Sequence, residues 1–165
     1  MKREEQCVYR KPGMSTSVRT HSAEETRDFG KCLGAALQPG DVVALEGDLG
    51  TGKTILVQGI AEALGVTASV HSPTFVLHHR YPGRTTLDHY DLFRLGGLEW
   101  VDSGLDEPSP AAVTVVEWSD RALPLREWAT VHIVLEASDN HTRTLTCLKA
   151  PEPVQACFGG SPSRP

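Results

Sequence analysis

The sequence predicts an α/β domain of three layers built on a mixed, mainly parallel central sheet. Three observations carry that reading. The short apolar runs Val42–Glu46 and Ala112–Glu117 have the length and composition of buried strands. Segments of helical spacing are mixed with the strands along the chain, as layered α/β domains require. A glycine-rich turn joins the first buried strand directly to a helix, the order of a strand–loop–helix unit.

The elements follow in order. Residues 1–14 are polar and without a clear period, which predicts a flexible N-terminal arm ahead of a domain spanning 15–149; Met14 is an alternative start. Ser17–Thr20 fits a short strand. Ser22 followed by Glu25 fits a capping box. Phe29, Leu33, Ala36 and Leu37 then recur at helical spacing until Pro39-Gly40 ends the helix. After the Val42–Glu46 strand and the turn at Gly47 to Gly52, the residues Ile55, Leu56, Gly59, Ile60, Ala63 and Leu64 mark one face of a second helix, with Gly65 as its stop. Phe75 to Tyr81 and Thr85 to Leu92 read as a hairpin around Pro82-Gly83. Leu98 to Ser103 reads as a short helix, and Val131 to Glu136 and Arg143 to Leu148 as two further strands. From Ala150 the chain is rich in Pro, Gly and Ser, which predicts a disordered tail over 150–165, with residues 151–165 removable without loss of fold.

Composition excludes several functions. The chain has 165 residues, 39% apolar and 22% charged, enough for a single cored domain. With 16 basic and 21 acidic residues its net charge is −5, which disfavours a stand-alone nucleic-acid binder. A role on RNA is expected to run through a partner. No apolar run approaches the roughly 18 residues of a membrane span. The charged start, Met1 to Lys11, has no apolar core of a secretory signal. Cys7, Cys32, Cys147 and Cys157 form no C-x-x-C pair, so reduced thiols in a cytoplasm are expected rather than a disulfide framework.

The strongest motif is Gly47-Asp48-Leu49-Gly50-Thr51-Gly52-Lys53-Thr54, which fills every fixed position of G-x-x-x-x-G-K-[ST]. Glycines let the backbone wrap with its N–H groups turned inward. Those donors and the positive helix N-terminus hold phosphate oxygens. Lys53 adds a cation for the β- and γ-phosphates, and the Thr54 hydroxyl suits Mg²⁺. The motif follows a predicted strand and precedes a predicted helix, so the fold class narrows to a P-loop NTPase-like domain. Such a site needs a further carboxylate at the end of a buried strand. Glu117, ending Val113–Val116, and Asp91, lying in the weaker strand Leu87 to Leu92, are the two candidates. Ser72-Pro73-Thr74-Phe75 is either a plain connection or a loop that senses the γ-phosphate. The histidines His78, His79 and His89 read as structural, with no metal assigned. Neither N-K-x-D nor D-x-x-G occurs, which argues against a guanine-specific switch protein.

Four segments together resemble one family: the loop at 47–54, Ser-Pro-Thr-Phe at 72–75, His-Tyr-Asp-Leu-Phe-Arg-Leu at 89–95 and Val-Glu-Trp at 116–118. Their order and spacing are similar to the bacterial TsaE (YjeE) family, over about Thr20 to Leu148. The resemblance implies a small ATPase of tRNA threonylcarbamoyladenosine (t6A) biosynthesis, using ATP and Mg²⁺ and acting on a TsaB–TsaD heterodimer, with tRNA met only through those partners. It implies that Gly50, Thr51, Gly52, Lys53, Thr54 and Ile55 hold the phosphates and that Thr54 and Glu117 hold the metal. Lys53, Asp91 and Glu117 are implied as catalytic, Thr74 as part of a switch-like loop, and Trp118 as a ring beside the site. The regions near Ser22 and Arg143 are implied to border the adenine. Two positions depart from the family: Thr51 stands in place of Ala, and Ile55 in place of a second Thr. The competing readings are a small-molecule kinase and a nucleotide-binding module without turnover. Arg80, Arg84 and Arg94 are too scattered for a kinase lid.

Overall fold

The computed structural model describes residues 16–73, 76–95, 105, 107–122 and 124–159. Its strands are β1 (Thr16–Thr20), β2 (Val42–Glu46), β3 (His78–Tyr81), β4 (Thr86–Asp91), β5 (Ala112–Glu117), β6 (Val131–Ala137) and β7 (Arg143–Lys149). Its helices are α1 (Ala23–Ala36), α2 (Lys53–Ala63), α3 (Leu125–Trp128) and α4 (Glu152–Gly159), with a 3-10 turn at Ser119–Arg121 between β5 and α3. The expected arm at 1–14, the expected helix at 98–103 and Thr74 lie outside the described residues.

The strands make one sheet in the order β1-β7-β6-β2-β5-β4-β3. The four central strands, β6, β2, β5 and β4, pair in parallel, and the flanking strands β1, β7 and β3 pair antiparallel. The sheet is mixed, as the sequence predicts, with its parallel part at the centre. That centre is where burial on both faces is needed, and every residue of β5 is buried. Successive side chains of β2 divide between the two faces. Val43 and Leu45 join Leu33, Leu56 and Ile60 under α1 and α2. Val42 and Ala44 join Tyr90, Val116, Leu125 and Ala129 on the side of the 3-10 turn and α3. Those two clusters are the cores of a three-layer domain. Among the described residues no helix is long and apolar enough to cross a membrane.

Helix α1 begins at the expected N-cap, Ser22, with the return bond of the capping box falling one residue earlier, on His21. Ser22 Oγ accepts the N–H of Glu25 at 3.0 Å, and Glu25 returns by accepting the N–H of His21 at 2.7 Å. Helix α2 lies close against α1 because Gly30 and Gly59 face each other. A side chain at either would run into the backbone of the other helix. Helix α2 stops at Gly65, whose φ of +78° suits glycine, and Arg84 donates to the terminal Ala63 carbonyl at 2.6 Å. These contacts fix the start of α2, and with it the glycine loop, relative to the sheet.

The C-terminal segment corrects the expectation of disorder. Residues 152–159 form α4, which packs on α1 and β1 with Val154 and Phe158 buried. Phe158 meets Phe29 edge-on, with ring centroids 4.9 Å apart. Cys157 is disulfide-bonded to Cys32 of α1, with Cα atoms 6.0 Å apart across 125 residues of sequence, so the expectation of reduced thiols is also corrected for this pair. The physical reason is tertiary. A short helix draws its stability from the face it buries, not from its own propensity, and only the docked chain brings Cys157 to Cys32. Truncation after Ala150 is therefore expected to destabilise the domain by about 3–5 kcal/mol even in a reducing buffer, from the buried Val154 and Phe158 alone. Denaturant unfolding of the full and truncated chains with excess thiol measures this. Equal midpoints would show that α4 does not hold the fold.

Candidate functional site

The parallel strands β2, β5 and β4 end at one edge of the sheet, and the site lies there, as ligand sites in such sheets do. From Glu46 the chain passes into the glycine loop. Gly50 and Gly52 take φ of +78° and +92°, the left-handed region where a side chain would be strained. Gly52 caps α2 without a side-chain bond, so the first N–H groups of α2 face the loop and carry the positive end of its dipole. Thr51 is buried, and its hydroxyl donates to the Asp48 carbonyl at 2.9 Å. It braces the loop from inside, beyond the amide that the sequence assigns to it.

Lys53 is also buried, at 5% exposure. Its Nζ donates to the carbonyls of Gly47 at 2.6 Å and Asp48 at 2.9 Å, and lies 4.1 Å from the centre of the Trp118 ring. Burial lowers its pKa from the ordinary lysine value, while the nearby Glu117 and Asp91 carboxylates act in the opposite direction. Trp118 reaches this position by adopting φ +59°, ψ +41°, a left-handed backbone that is costly for a bulky residue. The turn lays its ring under Lys53 and against Phe93, with ring centroids 4.9 Å apart.

The carboxylates converge on the same cleft. Thr54 donates its hydroxyl to Glu117 at 3.0 Å and 3.2 Å to the two oxygens, across 63 residues of sequence. Asp91 pairs in register with Glu117 across β4 and β5. Its Oδ1 accepts the N–H of Phe93 at 2.9 Å, and its Oδ2 accepts the hydroxyl of Ser72. Ser72 thereby ties the 71–73 loop to the end of β4. His89, fully buried on β4, bonds Glu117 Oε1 at 2.8 Å through Nε2.

A cleft of about 460 Å³ opens over these groups. It is lined by Gly50, Gly52, Lys53, Thr54, Ile55, Ser72, Asp91 and Glu117, by Ser22 and Ala23 at the start of α1, and by Asn140, His141 and Arg143 of the β6–β7 turn. Arg143 fastens that turn to the loop by donating to the Gly50 carbonyl at 3.1 Å. Asp139 shapes the turn by accepting the backbone N–H groups of His141 and Thr142. Those hydrogen bonds hold its carboxyl at about 2, so the turn stays tied until the pH falls through that value.

The structure thus brings Gly50, Gly52, Lys53, Thr54, Ile55, Asp91 and Glu117 around one cleft, with Thr51 and Trp118 behind it. Its chemistry suits a phosphate chain: inward N–H groups, one ammonium, and a hydroxyl beside a carboxylate, the oxygen donors a hard divalent cation takes. Sequence reasoning missed the Ser72–Asp91 and His89–Glu117 contacts. The only signal for the second was a histidine two residues before Asp91, on the same face of the strand.

Comparison with known proteins gives a consistent picture. The family model described as Threonylcarbamoyl adenosine biosynthesis protein TsaE matches residues 20–145. A protein of Treponema pallidum described as tRNA threonylcarbamoyladenosine biosynthesis protein TsaE is 39% identical over 129 residues, 77% of this chain and 96% of its own length. The protein of the same description from Bacillus subtilis is 39% identical over 130 residues, 78% of this chain and 82% of its own. The crystal structure of Bacillus subtilis YdiB superimposes with a TM-score of 0.64 at 32% identity, covering 88% of this chain and 94% of that one.

Proposed function

Because the chain belongs to the TsaE family, we propose that it binds ATP with Mg²⁺ and hydrolyses it, and that this cycle serves a TsaB–TsaD partner complex in tRNA threonylcarbamoyladenosine biosynthesis. The observation that carries the reading is the contact of Thr54 with Glu117 at the mouth of the glycine loop. A phosphate loop alone binds; a hydroxyl and a carboxylate brought together beside it also supply a place for a metal.

In this reading the N–H groups of the loop and of the first turn of α2 bind the phosphate oxygens, and Lys53 places its ammonium against the terminal phosphates. Thr54 and Glu117 would hold the Mg²⁺, which would supply positive charge against the phosphate oxygens. Asp91 Oδ2, now bonded to the Ser72 hydroxyl, orients the hydrolytic water. Behind the cleft, the Trp118 ring lies against Lys53, with Phe93 packed on it, and shields that cation from bulk water on one side. Ser22, Ala23 and the β6–β7 turn flank the far end of the cleft, where the base would lie. The net charge of −5 agrees with partner proteins, rather than this chain, carrying the RNA. Product analysis tests the reading against phosphotransfer. Equimolar ADP and inorganic phosphate is the expected balance, and ADP formed with a phosphorylated small molecule in place of phosphate would overturn it.

A further inference from the structure

We propose that His89 is the positioning residue for the metal-binding carboxylate: its buried imidazole fixes Glu117 in the orientation that pairs it with Thr54. This deepens the reading above and rests on its assignment of Glu117 to the metal.

His89 is 0% exposed. It lies on β4 opposite Val115, one pleat before the Asp91–Glu117 pair, so its ring sits on the same side of the sheet as Glu117. Nε2 meets Glu117 Oε1 at 2.8 Å. A carboxylate only accepts, so Nε2 carries the proton and donates. Nδ1, among the described residues, is a buried side-chain atom without a hydrogen-bond partner. That pattern is costly, since a buried polar atom left unsatisfied loses its hydration without return. Packing alone would be served better by leucine at this position. The imidazole therefore has one productive bond, and that bond goes to the oxygen that also takes the Thr54 hydroxyl at 3.0 Å. Glu117 itself is only 2% exposed, so no surrounding solvent holds its rotamer. His89 from β4 and Thr54 from α2 hold it from two elements.

Outer partners that orient a metal-binding group typically change metal affinity without touching the metal. The test uses the full chain with ADP, with Mn²⁺ as the probe followed by its electron paramagnetic resonance signal. His89→Leu is expected to raise the Mn²⁺ needed for half-saturation about tenfold. ADP affinity in EDTA should stay within about twofold, because the loop contacts are untouched. His89→Gln, which can return an N–H to the same oxygen, should recover most of the loss. Glu117→Ala is the reference. If it raises the Mn²⁺ requirement and His89→Leu does not, the positioning role is overturned while the metal assignment stands. If Glu117→Ala leaves the requirement unchanged, the metal assignment fails and the proposal falls with it. An equal loss of metal-free ADP binding in His89→Leu would mark a merely structural residue and overturn it too. Should His89→Leu not fold, nitrogen-15 NMR of the wild-type ring decides: a proton on Nε2 supports the proposal, and a neutral ring with its proton on Nδ1 overturns it.

Discussion

Replacing Lys53 by alanine is expected to weaken ATP binding by about 100-fold. The loss follows from one charge-assisted contact at the upper end of its range, roughly 3 kcal/mol, made in a place shielded from water. Lys53 is the ammonium that lines the cleft, buried to 5% exposure and held by the Gly47 and Asp48 carbonyls and the Trp118 ring. Its burial lowers its pKa from the ordinary value, and among the described residues its hydrogen bonds go to carbonyl and hydroxyl oxygens and not to a carboxylate. Phosphate oxygens would give it an anionic partner. The same logic predicts that the substitution does not unfold the domain, since it removes a desolvated charge rather than an apolar contact. Calorimetric titration of the variant with ATP and Mg²⁺ measures the first effect. Unchanged affinity would mean that the glycine loop is not the phosphate site.

Asp91→Ala is expected to reduce turnover in the partner complex by about 100-fold while changing ATP affinity by no more than about threefold. Asp91 lines the cleft at the end of β4, yet Thr54 is bonded to Glu117 and not to Asp91. Its oxygens take the Phe93 N–H and the Ser72 hydroxyl, so it is held toward the cleft with an acceptor one hydroxyl away from release. A group so placed would act on water more than on phosphate. Single-turnover hydrolysis at saturating ATP separates the two effects. Normal hydrolysis with Asp91→Ala in the full complex would remove its catalytic role.

Much of this site was legible because its information is local. The loop from Gly47 to Thr54 is one continuous motif whose glycines and lysine declare their own geometry, and the start of α1 is declared by Ser22 and Glu25. Val42–Glu46 and Ala112–Glu117 could be recognised as buried strands from their unbroken apolar runs. What a linear pattern does not contain is which strand lies beside which. The adjacency of β5 and β4 places Asp91 against Glu117, and it also brings His89 to that carboxylate. Both depend on strand order, so Asp91 and Glu117 were readable as two candidates and His89 as a structural residue. Ser72 was readable as part of a turn, but its bond to Asp91 spans 19 residues and two elements. Helix α4 was hidden differently. Val154 and Phe158 are spaced for one helical face, but Pro151, Pro153 and the glycines at 159 and 160 dominate the local composition. Proline in the first turn is compatible with a helix, and docking on α1 decides the outcome.

The proposed function has this chain hydrolysing ATP for a partner complex. P-loop sites reach useful rates when a residue orients the water and a cation covers the transition-state charge, and a second chain often provides that cation. Here Arg143, the arginine that lines the cleft, donates to the carbonyls of Gly50, Asp139 and Thr142. It is occupied in bracing the loop and the turn. The most direct measurement is steady-state phosphate release by this protein, by TsaB–TsaD, and by the mixture of all three. The account predicts a rate for the mixture well above the sum of the separate rates. Equal rates with and without TsaB–TsaD, in an assay where the mixture still makes modified tRNA, would contradict it.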